Sequence, residues 1–418
     1  MSDSQPPADF EEHFAREIIH KDYTFLGENF MVSPKTLSLP ASPPFAPIDL
    51  LNTGDPDSTG DNAPQAGLLS LLPPELLQPI LTTLDLASLS NLAQTCRRAA
   101  YIIRTLPALA TLRRHAPHVL AYYHRSWRTA HSPVVRELHA MLYATRCVRC
   151  PRFGAYIFLP LAARVCWACA STAPEVRMLK REEAQRIFDL GDGIKMVNRY
   201  CALRGKYGEG EDVVEIQDGG CEMVIGVEAF IAMYRLHGGE RFYSRYEELR
   251  KEAKEKGDER TKQVLDFFYS GWEEEETDIL MEWDWEEDGP MVDLDGGQPK
   301  VWKRAKELGM AEDRMQLVMF APFPALKEKM EAQEMLWCYA CEWKRKQKPE
   351  SAVYKQLARR AWLREEFFKW HLKTCDVVED IRKRMLEGTW KGREREEAEI
   401  EEARRVIGDS ESGTIGFP

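Results

Sequence analysis

Apolar and polar positions alternate in several distinct regimes along the chain. From Leu68 to Ala110 the run LLSLLPPELLQPILTTLDLASLSNLAQTCRRAAYIIRTLPALA is apolar-rich at helical spacing, and glycine is scarce. Leu76, Leu77, Ile80, Leu81 and Leu84 form one stripe on a first helix, with Pro74 suited to its opening turn and Glu75 to its positive end. Asp85 ends that helix and caps the next, on which Leu89 and Leu92 share a side. Pro79 removes the amide that would bond the Glu75 carbonyl, so a kink is expected. Further on, Thr172-Ala-Pro-Glu175 has a capping-box pattern and predicts a charged helix through VRMLKREEAQRIF. VVEIQDGGCEMVI, ending at Ile225, predicts a hairpin turning at Asp218-Gly219-Gly220. YEELRKEAKEKGDERTKQVLDFFY is helical with mixed charge, and a long helix is expected through YKQLARRAWLREEFFKWHLK. No repeat of solenoid or propeller period occurs.

These regimes imply an α+β fold, mainly α with some β. Residues 1–66 carry nine prolines and long polar runs, too little apolar surface to offset ordering, and are expected to form a mostly disordered lead. The remaining divisions are a helical element at 67–113, a cysteine-bearing module with helix and hairpin at 114–240, charged helices and an acidic loop at 241–330, a C-terminal module at 331–407 and a polar tail at 408–418. Within the acidic loop, Glu273 to Asp295 holds twelve acids and no Lys or Arg. A solvated loop is the ordinary reading; Trp272, Trp283 and Trp285 could instead anchor a basic segment.

At 418 residues the chain exceeds one hydrophobic core, and 44% hydrophobic with 30% charged residues is a globular composition. A net charge of −11 argues against a broad grip on nucleic-acid phosphates. No apolar run is long enough to span a bilayer, and the acidic N-terminus does not resemble a secretory signal. A cytoplasmic or nuclear location is therefore expected, where ten cysteines serve more often as metal ligands or buried thiols than as disulfides.

Cysteine spacing sharpens this. Random placement gives roughly 0.24 pairs three apart, whereas three occur, at 147/150, 166/169 and 338/341. Cys147, Cys150, Cys166 and Cys169 have the spacing of two knuckles that close a tetrahedron around Zn²⁺, with Phe153, Tyr156, Ile157, Phe158 and Leu159 available to keep it dry. Four thiolates leave no open position for water, so a structural site is expected; a redox dithiol and unligated cysteines are the lesser readings. Cys338 and Cys341 can be joined by His371 and Cys375, four apart on one helix face, as a second zinc set; the alternative is a satisfied histidine beside buried thiols. Cys96, Cys201 and Cys221 have no partner spacing, and His115, His118, His124, His131 and His139 bring no carboxylate or thiolate at ligand spacing.

The segment Leu71 to Arg98 resembles an F-box. The resemblance rests on Leu72-Pro73-Pro74-Glu75, the ladder Leu76, Leu77, Ile80, Leu81 and Leu84, then Asp85-Leu86 with Leu89 and Leu92, and the closing Thr95-Cys96-Arg97. Together with the cysteine pairs and the late His371 and Cys375, the chain resembles a group of filamentous-fungal F-box proteins. The resemblance implies a three-helix F-box followed by a zinc-stabilised helical domain with small hairpins. It implies a substrate receptor that joins a Skp-type linker, and through it cullin, and that brings an unknown target protein to a ubiquitin ligase. Leu72, Pro73, Glu75, Leu76, Leu77, Ile80, Leu81, Leu84, Leu89 and Leu92 are the residues implied to meet the linker. Ubiquitin transfer would belong to other subunits, and no phosphate loop, nucleophile elbow or His-Glu-x-x-His occurs in this chain. The competing reading is a zinc-stabilised nucleic-acid-binding or chromatin protein that uses Arg146, Arg149, Arg152 and Arg164.

Overall fold

The computed structural model describes residues 10–20, 72–126, 132–202, 205–207, 214–216, 221–273, 319–327, 330–348, 351–393, 395 and 398. It divides into two compact units, one made of 1–26 with 333–418 and the other of 27–332. The architecture is α+β, with helices predominant and small antiparallel sheets. No described helix is long and apolar enough to cross a membrane.

The chain's first described elements are helix α1 (Phe10–Ile18) and strand β1 (Ile19–His20). Residues 10–20 were expected to belong to a disordered lead, but Phe10, Phe14 and Ile18 are buried in the core of the smaller unit. Nine prolines across 1–66 hide a short proline-free stretch whose apolar residues recur every four positions, enough to bury one helix face. The rest of 1–66 and the acidic run after Glu273 lie outside the described residues.

In the larger unit, α2 (Pro74–Thr82) starts with Pro74 at its first turn and runs through Pro79. The hydroxyl of Thr82 closes back on the Pro79 carbonyl at 2.8 Å. α3 (Leu86–Ala93) is capped by Asp85, whose carboxylate accepts the Ser88 amide at 2.9 Å and the Ser88 hydroxyl at 2.7 Å. Burial opposes the charged form of Asp85, but these bonds and those from Ser132 and Ala87 outweigh it and hold the carboxyl below its ordinary pKa. α4 (Arg97–Arg104) is capped by Cys96, whose sulfur accepts the Ala99 amide at 3.4 Å. α5 (Pro107–His115), α6 (Pro117–Ser126) and α7 (Val135–Met141) follow. The segment before α7 is tied to the α2–α3 corner by Leu86 N–H to Pro133 O and Val135 N–H to Leu84 O, both 3.2 Å.

β2 (Tyr156–Phe158) lies between β3 (Ala163–Val165) and the later β9 (Phe320–Pro322), both antiparallel to it. α8 (Trp167–Thr172) ends at Thr172, so no helix opens there. The chain instead makes a short turn at Pro174–Val176, strand β4 (Met178–Lys180) and only then α9 (Arg181–Ile187). The capping-box expectation fails because Met178 and Leu179 are wholly buried and their backbone is claimed by a sheet.

That sheet has β8 (Cys221–Ile225) at its centre, between β4 and β5 (Tyr200–Ala202). β6 (Gly205–Tyr207) and β7 (Val214–Ile216) form a separate pair. The turn expected at Asp218-Gly219-Gly220 lies outside the described residues, and the described strands on either side of it, β7 and β8, pair with other strands and not with each other. Met223, Val224 and Ile225 form a continuous buried run, which suits a central strand covered on both faces. α10 (Gly226–His237), α11 (Gly239–Glu255) and α12 (Glu259–Glu273) pack with α9 around Phe188, Phe230, Phe242 and Phe268. One core thus crosses the boundary expected near 240. α11 and α12 part at Gly257, whose φ of +67° suits a residue without a side chain.

In the smaller unit, β10 (Met335–Cys338) is flanked by β1 and by β11 (Trp362–Leu363). α13 (Tyr339–Gln347) and α14 (Ala352–Arg359) precede β11; α15 (364–374) includes a π-helical turn at Phe367–His371; α16 (Asp376–Leu386) closes the unit. The long helix expected through 354–373 is interrupted, because Ala361 and Trp362 are buried and Trp362 pairs with Leu336.

Candidate docking face and metal centres

The apolar ladder of α2 does not act as one stripe. Leu77 and Leu81 are 3% and 2% exposed and Leu89 is buried, so these three are spent inside the chain. Leu84 and Leu92 are half-buried. Leu72, Leu76 and Ile80 are 38%, 57% and 50% exposed, and Pro73 and Glu75 are exposed beside them. The division follows from helix geometry: 77 and 81 lie one turn apart on one face of α2, while 76 and 80 lie about 100° around the axis. Of the set implied to meet a partner, Leu72, Pro73, Glu75, Leu76 and Ile80 are thus the exposed members.

Cys147, Cys150, Cys166 and Cys169 converge, with all four sulfurs within 4.8 Å of one another. Cys150 Sγ stands 3.6 Å from Cys166 Sγ and 3.7 Å from Cys169 Sγ. Tetrahedral geometry with Zn–S near 2.3 Å requires sulfurs about 3.8 Å apart, so the spacing suits a metal without rearrangement. Each knuckle is shaped by its backbone. The Arg149 amide donates to Cys147 Sγ at 3.4 Å, and the Cys169 amide to Cys166 Sγ at 3.5 Å. Hydrogen bonds with the other three cysteines, and then burial, push the Cys169 thiol up. Phe153, Tyr156, Ile157, Phe158 and Leu159 are all buried.

Arg164 fixes this module from behind. It is 1% exposed, and its guanidinium donates to the carbonyls of Met141, Gly154, Phe323 and Pro324 while lying 4.9 Å from the Phe323 ring centre. Burial lowers its pKa to about 9. Gly154 leaves room for it, since a Cβ there would stand 2.6 Å from Arg164 Cγ. Arg149 pairs with Glu175. Two of the four arginines that could have gripped phosphates are thus committed to the chain's own structure.

Cys338, Cys341, His371 and Cys375 form the second set, again within 4.8 Å and all buried. Cys341 Sγ is 3.5 Å from Cys375 Sγ and 3.6 Å from His371 Nε2; a tetrahedral sulfur–nitrogen edge would measure about 3.6 Å. Cys338 ends β10, Cys341 lies in the first turn of α13, His371 ends the π-helical turn and Cys375 precedes α16. The long gap between Cys341 and His371 is filled by α14, β11 and the start of α15, which fold the distant pair back. The His371 ring stacks on Trp362 at 4.7 Å and meets Phe367 at 5.3 Å, which fixes its plane. Burial pushes the Cys338 thiol up, and hydrogen bonds with Cys338 and Cys375 raise that of Cys341.

Both sets can therefore hold a metal ion, and their donors are compatible with zinc. Among the described residues no other His, Cys, Asp or Glu group converges in this way. His118 instead meets the Pro322 carbonyl at 2.7 Å, and His139 packs on Tyr143. Sequence reasoning missed the caps supplied by Cys96 and Cys166, the Arg164 anchor and the Trp362 stack. The caps had a local signal, a side chain three residues ahead of a free helix amide; the other two depend on residues far along the chain.

Comparison with known families matches the F-box domain to residues 69–109. No curated protein and no solved structure gives a match. The matched segment covers α2, α3 and α4 together with the start of α5 and includes the exposed Leu72, Leu76 and Ile80, so the chain carries an F-box domain.

Proposed function

We propose that this chain is the substrate-recognition adaptor of a Skp–cullin–F-box ubiquitin ligase. F-box domains typically bind the Skp-type linker and hence cullin, and they generally belong to non-catalytic receptors. The observation that carries the reading is the exposure of Leu72, Leu76 and Ile80 at the start of the F-box, where Leu77, Leu81 and Leu89 are buried. Leucine and isoleucine left half in water on adjacent turns have most to gain from a partner. Zn²⁺ fills both cysteine sets in this reading, as a structural ion that stiffens the parts selecting the target protein. The setting is cytoplasmic or nuclear, where thiols stay reduced and available to metal. The burial of Arg164 and the pairing of Arg149 leave the nucleic-acid reading only Arg146 and Arg152 of its four arginines. Leu72→Ala with Pro73→Ala should weaken co-purification with the Skp-type linker while zinc content is unchanged; undiminished co-purification would overturn the assignment.

A further inference from the structure

The smaller unit joins two distant stretches of chain, and the shorter one lies directly on the scaffold that presents the second metal set. α1 inserts Phe14 and Ile18 into the cluster that contains Cys338, Cys341 and Cys375. β1 then extends the sheet, with Ile19 opposite the ligand Cys338 and His20 opposite Trp337. A polar clamp closes over this contact. The Glu17 carboxylate accepts the Trp390 indole N–H and the Arg393 amide, both at 3.0 Å. The Arg393 guanidinium donates to the carbonyls of Arg16, Glu17 and Ile19 at 3.2, 2.9 and 3.1 Å.

Neither side of this contact is self-sufficient. A helix of nine residues is too short to persist alone in water, so α1 owes its form to the surface that receives it. That surface is a small core around a short sheet, and a cluster of this size needs a staple. The same strand, β10, pairs with β1 along its backbone and ends in a metal ligand. Any change that loosens β10 therefore acts on both contacts.

We propose that the C-terminal unit is an acceptor site for the chain's own segment Phe10–His20, and that docking of this segment and metal occupancy at Cys338, Cys341, His371 and Cys375 are reciprocally linked. The proposal rests on the reading of that set as a metal centre. Loss of the ion loosens β10 and releases a segment carrying two aromatic anchors and an unpaired strand edge. Loss of the segment uncovers the ligand core and weakens the ion. Linkage requires the two effects to be equal in size.

The test uses the full-length chain. Native mass spectrometry of the wild type first counts bound ions, two being expected. Phe14→Ala with Ile18→Ala should then surrender one of the two ions at about tenfold lower chelator concentration, with the other ion and linker binding unchanged. The milder Glu17→Gln should move the same ion in the same direction, which guards against simple misfolding of the double variant. In the opposite direction, hydrogen exchange should show amides 10–20 losing protection when chelator strips the wild type and regaining it on addition of Zn²⁺. Cys150→Ser, in the other metal set, should leave those amides protected. Two bound ions with segment protection that ignores their removal would overturn the linkage alone. A wild type in which the second set binds no ion would overturn the metal reading and the linkage together.

Discussion

Replacing Leu72, Leu76 and Ile80 together by alanine separates docking from folding. Each side chain is roughly half in water, 38%, 57% and 50% exposed respectively. Full burial of such a side chain contributes about 1.5–3 kcal/mol, so the half that remains to be buried at an interface contributes about 1 kcal/mol apiece. The triple variant should lose roughly 3 kcal/mol of binding, about a hundredfold in Kd at 1.4 kcal/mol per decade. Its own stability should change little, since exposed positions away from special features shift it by about 0.5 kcal/mol or less each. Isothermal titration against the Skp-type linker measures the first quantity, and urea unfolding followed by circular dichroism the second. A Kd within threefold of wild type, with unfolding unchanged, would refute the assignment of this face as the docking surface. A large loss of stability would refute the division of the ladder into outward and inward positions.

The inward position gives the converse expectation: Leu81→Ala should cost about 2–5 kcal/mol of folding free energy in the same urea experiment, and should weaken linker binding only through unfolding. Gly154→Ala drives a Cβ to 2.6 Å from Arg164 Cγ, and should destabilise the first module so that one ion is released at lower chelator concentration. Inductively coupled plasma mass spectrometry should find two zinc ions per wild-type chain and one in either Cys150→Ser or Cys341→Ser; a wild-type count of zero removes the metal reading. Asp85→Ala should cost about 1 kcal/mol at neutral pH. The carboxyl is held below its unfolded pKa, so its contribution is complete above that ordinary value and is lost as pH falls through the lowered one. Hydrogen exchange of the α3 amides at pH 7 reads the neutral-pH loss, and an unchanged rate would sink the cap.

The sequence by itself determined what depends on neighbours a few residues apart. The two Cys-x2-Cys knuckles at 147/150 and 166/169, the Asp85 cap and the helical ladder are all short-range geometry, and each was legible from spacing alone. The pairing of His371 with Cys375 was legible for the same reason, although the π-helical turn that delivers His371 was not. Tertiary structure decided everything that required a partner far along the chain. β8 pairs with β4 and β5 instead of β7, β9 joins β2 from beyond the acidic run, and residues 10–20 return to cover Cys338. Strand pairing is set by which buried faces meet, and a run such as Met223 to Ile225 fits more than one partner until the whole core is assembled. The same holds for the F-box ladder. Four apolar side chains on one short helix look alike in sequence, and only the packing of the folded unit decided that Leu77 and Leu81 would be buried while Leu76 and Ile80 stayed in water.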